Sequence, residues 1–434
     1  MSQHAAVEVS QADETLTTYA EAVKRGDYDT HFGNLTGKHD NVRLYWEDQL
    51  TRLTLRPYLS SMVERKRDLG KQVRIVDLGC GAGQGYELLT KIDQRDLDLG
   101  LNHQRVMKTS DVGAYIGIDL SASMVQHGNQ LYAEQPTVQF VQSDLNEGLA
   151  AVADEPPFDL YFCAYGSMSH LPTASLKTLL DNIVDHAAEG SLVVMDLLGR
   201  NSLEWPDYWQ AVTDDEKYAD YSMSYLHRNL QNEIDPGVDV EHFPMRYWTG
   251  DEIDTLIQSV NPVVGNGKTF TLRQKFDRSI FVGRHIDTGE YNPNLKTMRR
   301  VVNRLHEDYI RTDLDQLFWE PRLIPDHPDE RVTEFFHQLM VSWNRLVDFV
   351  QERLRGQVSL ANMRDWHELP APLQFALMTV DRVINSAEWM WYGDPRANII
   401  EPQLGYALRN LEQNLQQGLG CGHGLVVVLE VAQR

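Results

Sequence analysis

Four alternating glycines behind a short apolar run constrain this chain more than any other feature of it. Val73 to Gly85 reads VRIVDLGCGAGQG. Val73, Ile75 and Val76 are apolar and β-branched, the pattern of a buried parallel strand, and Asp77 stands where that strand ends. Gly79, Gly81, Gly83 and Gly85 follow. Lacking a Cβ, such residues accept positive φ and let backbone N–H groups approach a bound molecule before the helix predicted from Tyr86 to Gln94. Strand, glycine turn and helix in this order predict an α/β fold with a small-molecule site at the strand's carboxyl end.

Spacing narrows the ligand. A dinucleotide fingerprint needs G-x-G-x-x-G or A, but counting from Gly79 puts Gln84 in the last place, and counting from Gly81 puts Tyr86 there. No Lys-Ser or Lys-Thr follows the glycines, so the turn is not a P-loop, and Asp77 would repel a pyrophosphate. VDLGCGAGQG instead resembles the nucleotide-binding turn of class I methyltransferases that use S-adenosylmethionine (SAM), a ligand without phosphate. The resemblance implies a Rossmann-like sheet with helices on both faces. It implies a SAM site bordered by Asp77, Gly79, Cys80 and Gly81, with S-adenosylhomocysteine (SAH) as the product.

The chain beyond the turn extends the resemblance. A second strand, Ala114 to Leu120, ends in Asp119, placed where this family receives the two ribose hydroxyls, a task suited to a carboxylate that accepts two hydrogen bonds. Asp119 lies 40 residues after Gly79, about twice the dinucleotide interval, because Asp96 to Gly113 reads as an insertion. SASMV follows Leu120, with Ser121 as an N-cap and Met124 placed to touch adenine or its ribose. Val138 to Val141 alternates like a third strand and delivers Ser143, Asp144 and Leu145, and by resemblance Asp144 meets the adenine amino group. A fourth strand, Phe158 to Ala164, places Ala164 by resemblance at the SAM site and leads into a loop that in this family borders both sulfonium and acceptor; Tyr165 and His170 are its candidate catalytic residues. Ahead of the first strand, Arg43, Tyr45 and Trp46 match aromatic or basic residues that close over the SAM methionine end in many methyltransferases.

Composition bounds the partners. The 434 residues carry 63 Asp and Glu against 40 Lys and Arg, a net charge of −23 that opposes nucleic acid and anionic membrane. Cys80, Cys163 and Cys421 have neither metal-type spacing nor an even disulfide set, which fits a reducing, cytoplasmic setting with no metal. The first residues lack a secretory pattern, and no apolar run approaches the ~20 residues of a membrane span.

Three units are expected: a tail and helical cap over 1–66, with helices at Leu16 to Lys24 and Asp40 to Lys66; a SAM-binding domain over 67–287; and a mostly helical unit over 288–434. In the second, aromatics at Trp205, Tyr208, Trp209, Tyr218 to Tyr225 and Arg246 to Trp248 lie where this family builds its acceptor pocket. Strands near Thr269 to Arg273 and Ser279 to Arg284 allow the seven-stranded sheet to finish there. The third unit's apolar stripes would also suit a homodimer, and LVVVLEV, Leu425 to Val431, is β-rich and out of place in a bundle. Either Ser279 to Arg284 or Leu425 to Val431 is the antiparallel final strand. The implied function is N- or O-methylation of a small-molecule acceptor in biosynthesis; methylation of a protein side chain and a non-catalytic SAM-binding partner role are the alternatives.

Overall fold

The computed structural model describes residues 23–24, 26, 33–94, 104–260, 267–387, 389–390 and 393–433. The expected tail, most of the first expected helix and part of the 96–113 insertion lie outside the described residues.

Runs of Val, Ile and Leu too short to form helices are satisfied inside a sheet covered on both faces. Strands β1 (Val73–Leu78), β2 (Val112–Asp119), β3 (Val138–Gln142), β4 (Leu160–Phe162) and β5 (Leu192–Gly199) lie parallel in the order β3-β2-β1-β4-β5. Helices α1 (Asp48–Asp68), α2 (Gln84–Thr90), α3 (Ala122–Leu131), α4 (Thr173–His186) and α5 (Gly250–Val260) fall within the first 260 residues. Successive strand residues face opposite layers. Ile75, Tyr115 and Val194 join a core with α1 and α2, whereas Val76, Ile116 and Val193 join one with α4 and α5. The helix expected from Tyr86 starts two residues earlier, on the glycine turn, and stops at Thr90. Ahead of α1, Arg43–Glu47 forms a π-helical turn continuous with it.

The remaining strands are β6 (Tyr218–Ser222), β7 (His242–Trp248), β8 (Lys268–Arg278) and β9 (Gly424–Gln433). β9 runs antiparallel between β5 and β8, with Val194 opposite Val428 and Phe276 opposite Val426. The sheet is therefore not finished by Arg284, and LVVVLEV is its antiparallel strand. Ser279 turns to φ 59, which ends β8, and Ile280, Phe281 and Val282 pack into the helical layer instead, Phe281 against Trp319 and Trp343. Helices α6 (Met298–Arg304), α7 (Glu330–Leu354), α8 (Ala371–Ala387) and α9 (Glu401–Leu415) are thus inserted between two strands of one sheet, and their apolar stripes extend the core that α1 covers.

The antiparallel β6–β7 hairpin joins the sheet only at its carboxyl end, where Leu198 pairs with Tyr247 and Gly199 with Trp248. Leu198 also pairs with Gly424, so β7 lies on the edge of β5 opposite β9 and continues beyond the end of β4. Among the described residues no helix is long and apolar enough to cross a membrane.

Candidate active site

The glycine turn is shaped by what surrounds it. Gly79 and Cys80 donate their N–H groups to the Ile118 carbonyl at 2.8 and 3.0 Å, which ties the turn to β2. A Cβ on Gly79 would stand 2.7 Å from that of Ser167, and one on Gly85 would stand 2.1 Å from Asp77 Oδ2. Gly81, at φ 54, has nothing within 4 Å of the same position because it faces a cavity.

That cavity, about 380 Å³, runs across the carboxyl ends of the strands. Gly79, Cys80, Gly81, Asp119, Leu120, Met124, Ser143, Asp144 and Leu145 line one end, as the sequence predicts. Asp119 Oδ2 accepts from Gly81 N at 2.8 Å and Oδ1 from Ser121 N at 2.9 Å, so the carboxylate is fixed to both the turn and the start of α3. Burial raises it above the usual carboxylate range, against those two hydrogen bonds. Asp144 Oδ1 accepts from Asn146 N at 2.8 Å and caps the short turn after β3.

Three predicted residues lie elsewhere. Asp77 is buried beneath the turn, where its carboxylate accepts from the Tyr115 hydroxyl; burial lifts it to about 7. Ala164 is buried behind the loop after β4, its carbonyl accepting from Ser167 Oγ at 3.2 Å. Tyr45 stacks on His306 with ring centroids 4.7 Å apart. Lys38, Arg43 and Glu47 are the cap residues that reach the cavity, the last two one turn apart on the same helix, and Trp46 is fully buried on the helical side.

Tyr165 and His170 do line the cavity. Tyr165, at φ 63, is held by its N–H to Asp196 Oδ2 at 2.7 Å and its hydroxyl to Asp48 Oδ1 at 3.2 Å, with the Arg43 guanidinium 3.7 Å over its ring. Burial raises its phenol, which therefore stays protonated. His170 packs edge-on to Phe243, and burial lowers it to about 4, making it a weak base.

The far end is built from residues that only folding assembles. Tyr221, Met223 and Tyr225 come from the expected aromatic segment, joined by Phe243 and Met245 of β7, Arg278, Arg284 and His423. Trp205 and Tyr247 instead stack on each other at 4.3 Å in the core behind it. The charges here are paired within the protein: Arg43 with Asp48 at 2.8 Å, Glu47 with Arg284 at 3.1 Å and Arg299 at 2.6 Å, and Arg278 with Asp196 at 2.7 Å. Burial pushes Glu47 upward, but Arg284 and Arg299 outweigh it and hold the carboxyl well below its usual range. His423 carried one unused signal: GLGCGHG, Gly418 to Gly424, alternates glycines as the first turn does.

Residues 75–190 match the family model of a methyltransferase domain. No curated protein matches the chain. Three solved structures are among those similar to the chain. A SAM-dependent methyltransferase from Clostridium acetobutylicum is 14% identical, with a TM-score of 0.32 over 51% of this chain and 83% of that one. The DhpI-SAM-HEP complex is 12% identical, with a TM-score of 0.35 over 61% and 92%. The CcbJ methyltransferase from Streptomyces caelestis is 13% identical, with a TM-score of 0.30 over 47% and 74%. The family match itself runs from within β1 through β4 and α4, and so contains the turn and the carboxylate that shape one end of the cavity; over residues 75–190 the chain carries a methyltransferase domain.

Proposed function

We propose that this enzyme methylates a nitrogen or oxygen of a small-molecule acceptor held at the aromatic end of the cavity. The observation that carries this reading is continuity: one cavity joins Gly81 and Asp119 to Tyr221 and Phe243, and its volume of about 380 Å³ falls in the range of small-ligand sites. The residues present fit SAM. A Cβ at Gly81 would meet no protein atom within 4 Å, so the turn offers a cradle for the ligand, and no Lys-Ser or Lys-Thr follows the glycines to hold a phosphate.

In this reading Asp119 takes the ribose hydroxyls on the lone pairs that Gly81 and Ser121 leave over. Asp144 accepts from the adenine amino group, while Leu120, Met124 and Leu145 supply apolar contact to the rings. Bound SAM supplies a methyl group on a positively charged sulfur. The chain's part is to position the acceptor and exclude water. Tyr221, Tyr225 and Phe243 give flat walls, and the cap residues Arg43 and Glu47 close one side. Tyr165, its φ and hydroxyl both fixed, shapes the wall between the two ligands. The three cysteines, free and buried, suit the reducing cytoplasm.

Calorimetry with SAM, SAH and NAD, followed by incubation with a metabolite extract and labelled SAM, tests the reading. SAM and SAH should bind, NAD should not, and label should enter small molecules. Label entering only added proteins would overturn it.

A further inference from the structure

The buried groups that the reading above leaves unused converge on His423. Its Nδ1 lies 2.7 Å from Glu204 Oε2, and its Nε2 lies 3.4 Å from the Tyr221 hydroxyl at the cavity wall. Glu204 is wholly buried, yet its carboxylate is well supplied with donors: Ser202 Oγ at 3.2 Å and the backbone N–H of His285, besides the imidazole. An ionised carboxylate placed against Nδ1 fixes the proton on that nitrogen, which makes Nε2 the accepting nitrogen, facing the Tyr221 hydroxyl, where an acceptor hydroxyl can take that hydroxyl's place.

Much of the local sequence serves to hold this ring in place. Gly199 N, at the carboxyl end of β5, donates to the His423 carbonyl at 3.2 Å, and His423 N donates to the Ser279 carbonyl at 3.0 Å. Asp277 accepts the N–H groups of Leu419, Gly420 and Cys421 at 3.0, 2.8 and 2.9 Å. The alternating glycines pass where no side chain fits: a Cβ on Gly420 would stand 2.6 Å from the Trp248 carbonyl oxygen, and one on Gly422 would stand 2.4 Å from that of Arg278. A Cβ on Gly283 would stand 2.5 Å from Glu204 Cδ.

We propose that His423, oriented by Glu204, is the general base that takes the proton of a hydroxyl on a neutral, largely apolar acceptor, so that the reaction is an O-methylation. The proposal rests on the methyltransferase reading above and deepens it. A neutral amine attacks through its lone pair and can shed a proton to water afterwards, and a carboxylate arrives with none to lose. A hydroxyl oxygen that kept its proton while bonding to carbon would become a high-energy oxonium, and a base at that moment lowers the barrier. In this step the acceptor O–H bond breaks as its oxygen–methyl bond forms. The proton passes to His423 Nε2, the carbon–sulfur bonding pair stays on sulfur, and Glu204 neutralises the imidazolium. Tyr165 stays protonated and His170 is a weak base, so neither competes for the role. The neutral acceptor follows from the wall, whose Arg43, Glu47, Arg278 and Arg284 already have opposite charges beside them.

The test uses the full chain. The groups facing His423 are Glu204 and His285 from the loops, Asp196 of β5 and Tyr221 of β6, and the Arg278 guanidinium of β8 lies beside the next residue, Gly424. Nitrogen-15 spectra of histidine-labelled protein, assigned with His423→Asn, should show His423 protonated at Nδ1 and bare at Nε2, and Glu204→Gln should disturb that state. A proton on Nε2 instead would overturn the proposal. Simple phenols and benzyl alcohols, run beside the matching anilines and benzylamines with labelled SAM, should give ethers. His423→Asn, which keeps a donor for Glu204, should lower the rate on the order of 100-fold or more at unchanged SAH affinity. An undiminished rate with the wild-type pH profile, methylamine products, or an enzyme that binds SAH but methylates none of the probes would each overturn the hydroxyl assignment. Failure to bind SAH would overturn the underlying reading instead.

Discussion

The indole N–H of Trp46 donates to Glu412 Oε2 at 2.7 Å, and both side chains are fully buried. Glu412 Oε1 accepts from Phe281 N at 2.7 Å. One carboxylate from α9 therefore joins the cap, the segment that leaves β8 and the inserted helices. Each of these parts supplies a wall residue to the cavity or packs directly behind one, so the acceptor end is built on a junction rather than on one strand's loop.

This junction should make stability depend on pH. Burial raises Glu412 from its ordinary 4.5 to about 7, against the hydrogen bonds from Phe281 and Trp46. Between those values the folded state holds a proton that the unfolded chain gives up. The contribution is thus complete below about pH 4.5 and is lost as pH rises through about 7. Glu412→Gln cannot titrate. Whatever fixed deficit it carries, the gap in Tm between variant and wild type should narrow between about pH 5 and about pH 8, by the equivalent of roughly 3 kcal/mol at most. A gap that stays constant over this range would show that Glu412 does not titrate there.

Asp119→Ala should weaken SAH binding by about 1–3 kcal/mol, the scale of hydrogen bonds to a charged acceptor. The substitution also frees Gly81 N and Ser121 N, so some loss of order in the turn is expected with it. Calorimetry on the folded variant checks this; wild-type affinity would move the ribose site elsewhere.

Gly81 and Gly85 should fail in different ways. At Gly85 a Cβ would meet the buried Asp77 carboxylate at 2.1 Å, so Gly85→Ala should lower Tm strongly. At Gly81 nothing lies within 4 Å, and the cost to the fold is the strain of an alanine at φ 54, roughly 1–2 kcal/mol. Gly81→Ala should therefore stay folded and lose SAH affinity, because its methyl group enters the cavity. Thermal melts and calorimetry on both variants separate the two effects. Equal affinity for SAH in Gly81→Ala and wild type would contradict the placement of the ligand over this turn.

What was legible in the sequence follows from the range of the forces involved. Asp119 and the turn before it are local: an apolar strand, a glycine and an acid suffice to place them at a strand end. Tyr45 was misplaced because its spacing from the first strand says nothing about which side of a helical turn it takes. The run after Arg278 read as a strand on its β-branched and aromatic residues, yet Phe281 is satisfied by Trp319, Phe336 and Trp343 from distant helices. His423 stands 219 residues from Glu204 in sequence, and the antiparallel pairing of β9 brings them together.

That pairing yields the remaining prediction. A chain ended after Asp287 keeps β5 and β8 but loses β9, which pairs with Leu192 to Leu198 on one side and most of β8 on the other. Leu425 to Leu429 are completely buried, and no described strand other than β9 pairs with both β5 and β8. Their loss would leave two unpaired apolar edges facing an empty slot, a template for aggregation. It would also expose Phe281 and Val282, which the inserted helices cover. The truncated protein should collect in the insoluble fraction, and restoring β9 alone through a short linker from Arg278 should not recover full stability, because the helical layer over α1 would still be missing. Soluble yield, Tm and SAH calorimetry on both forms provide the check. A monomeric fragment ending at Asp287 that melts like wild type would show that the sheet closes without its ninth strand.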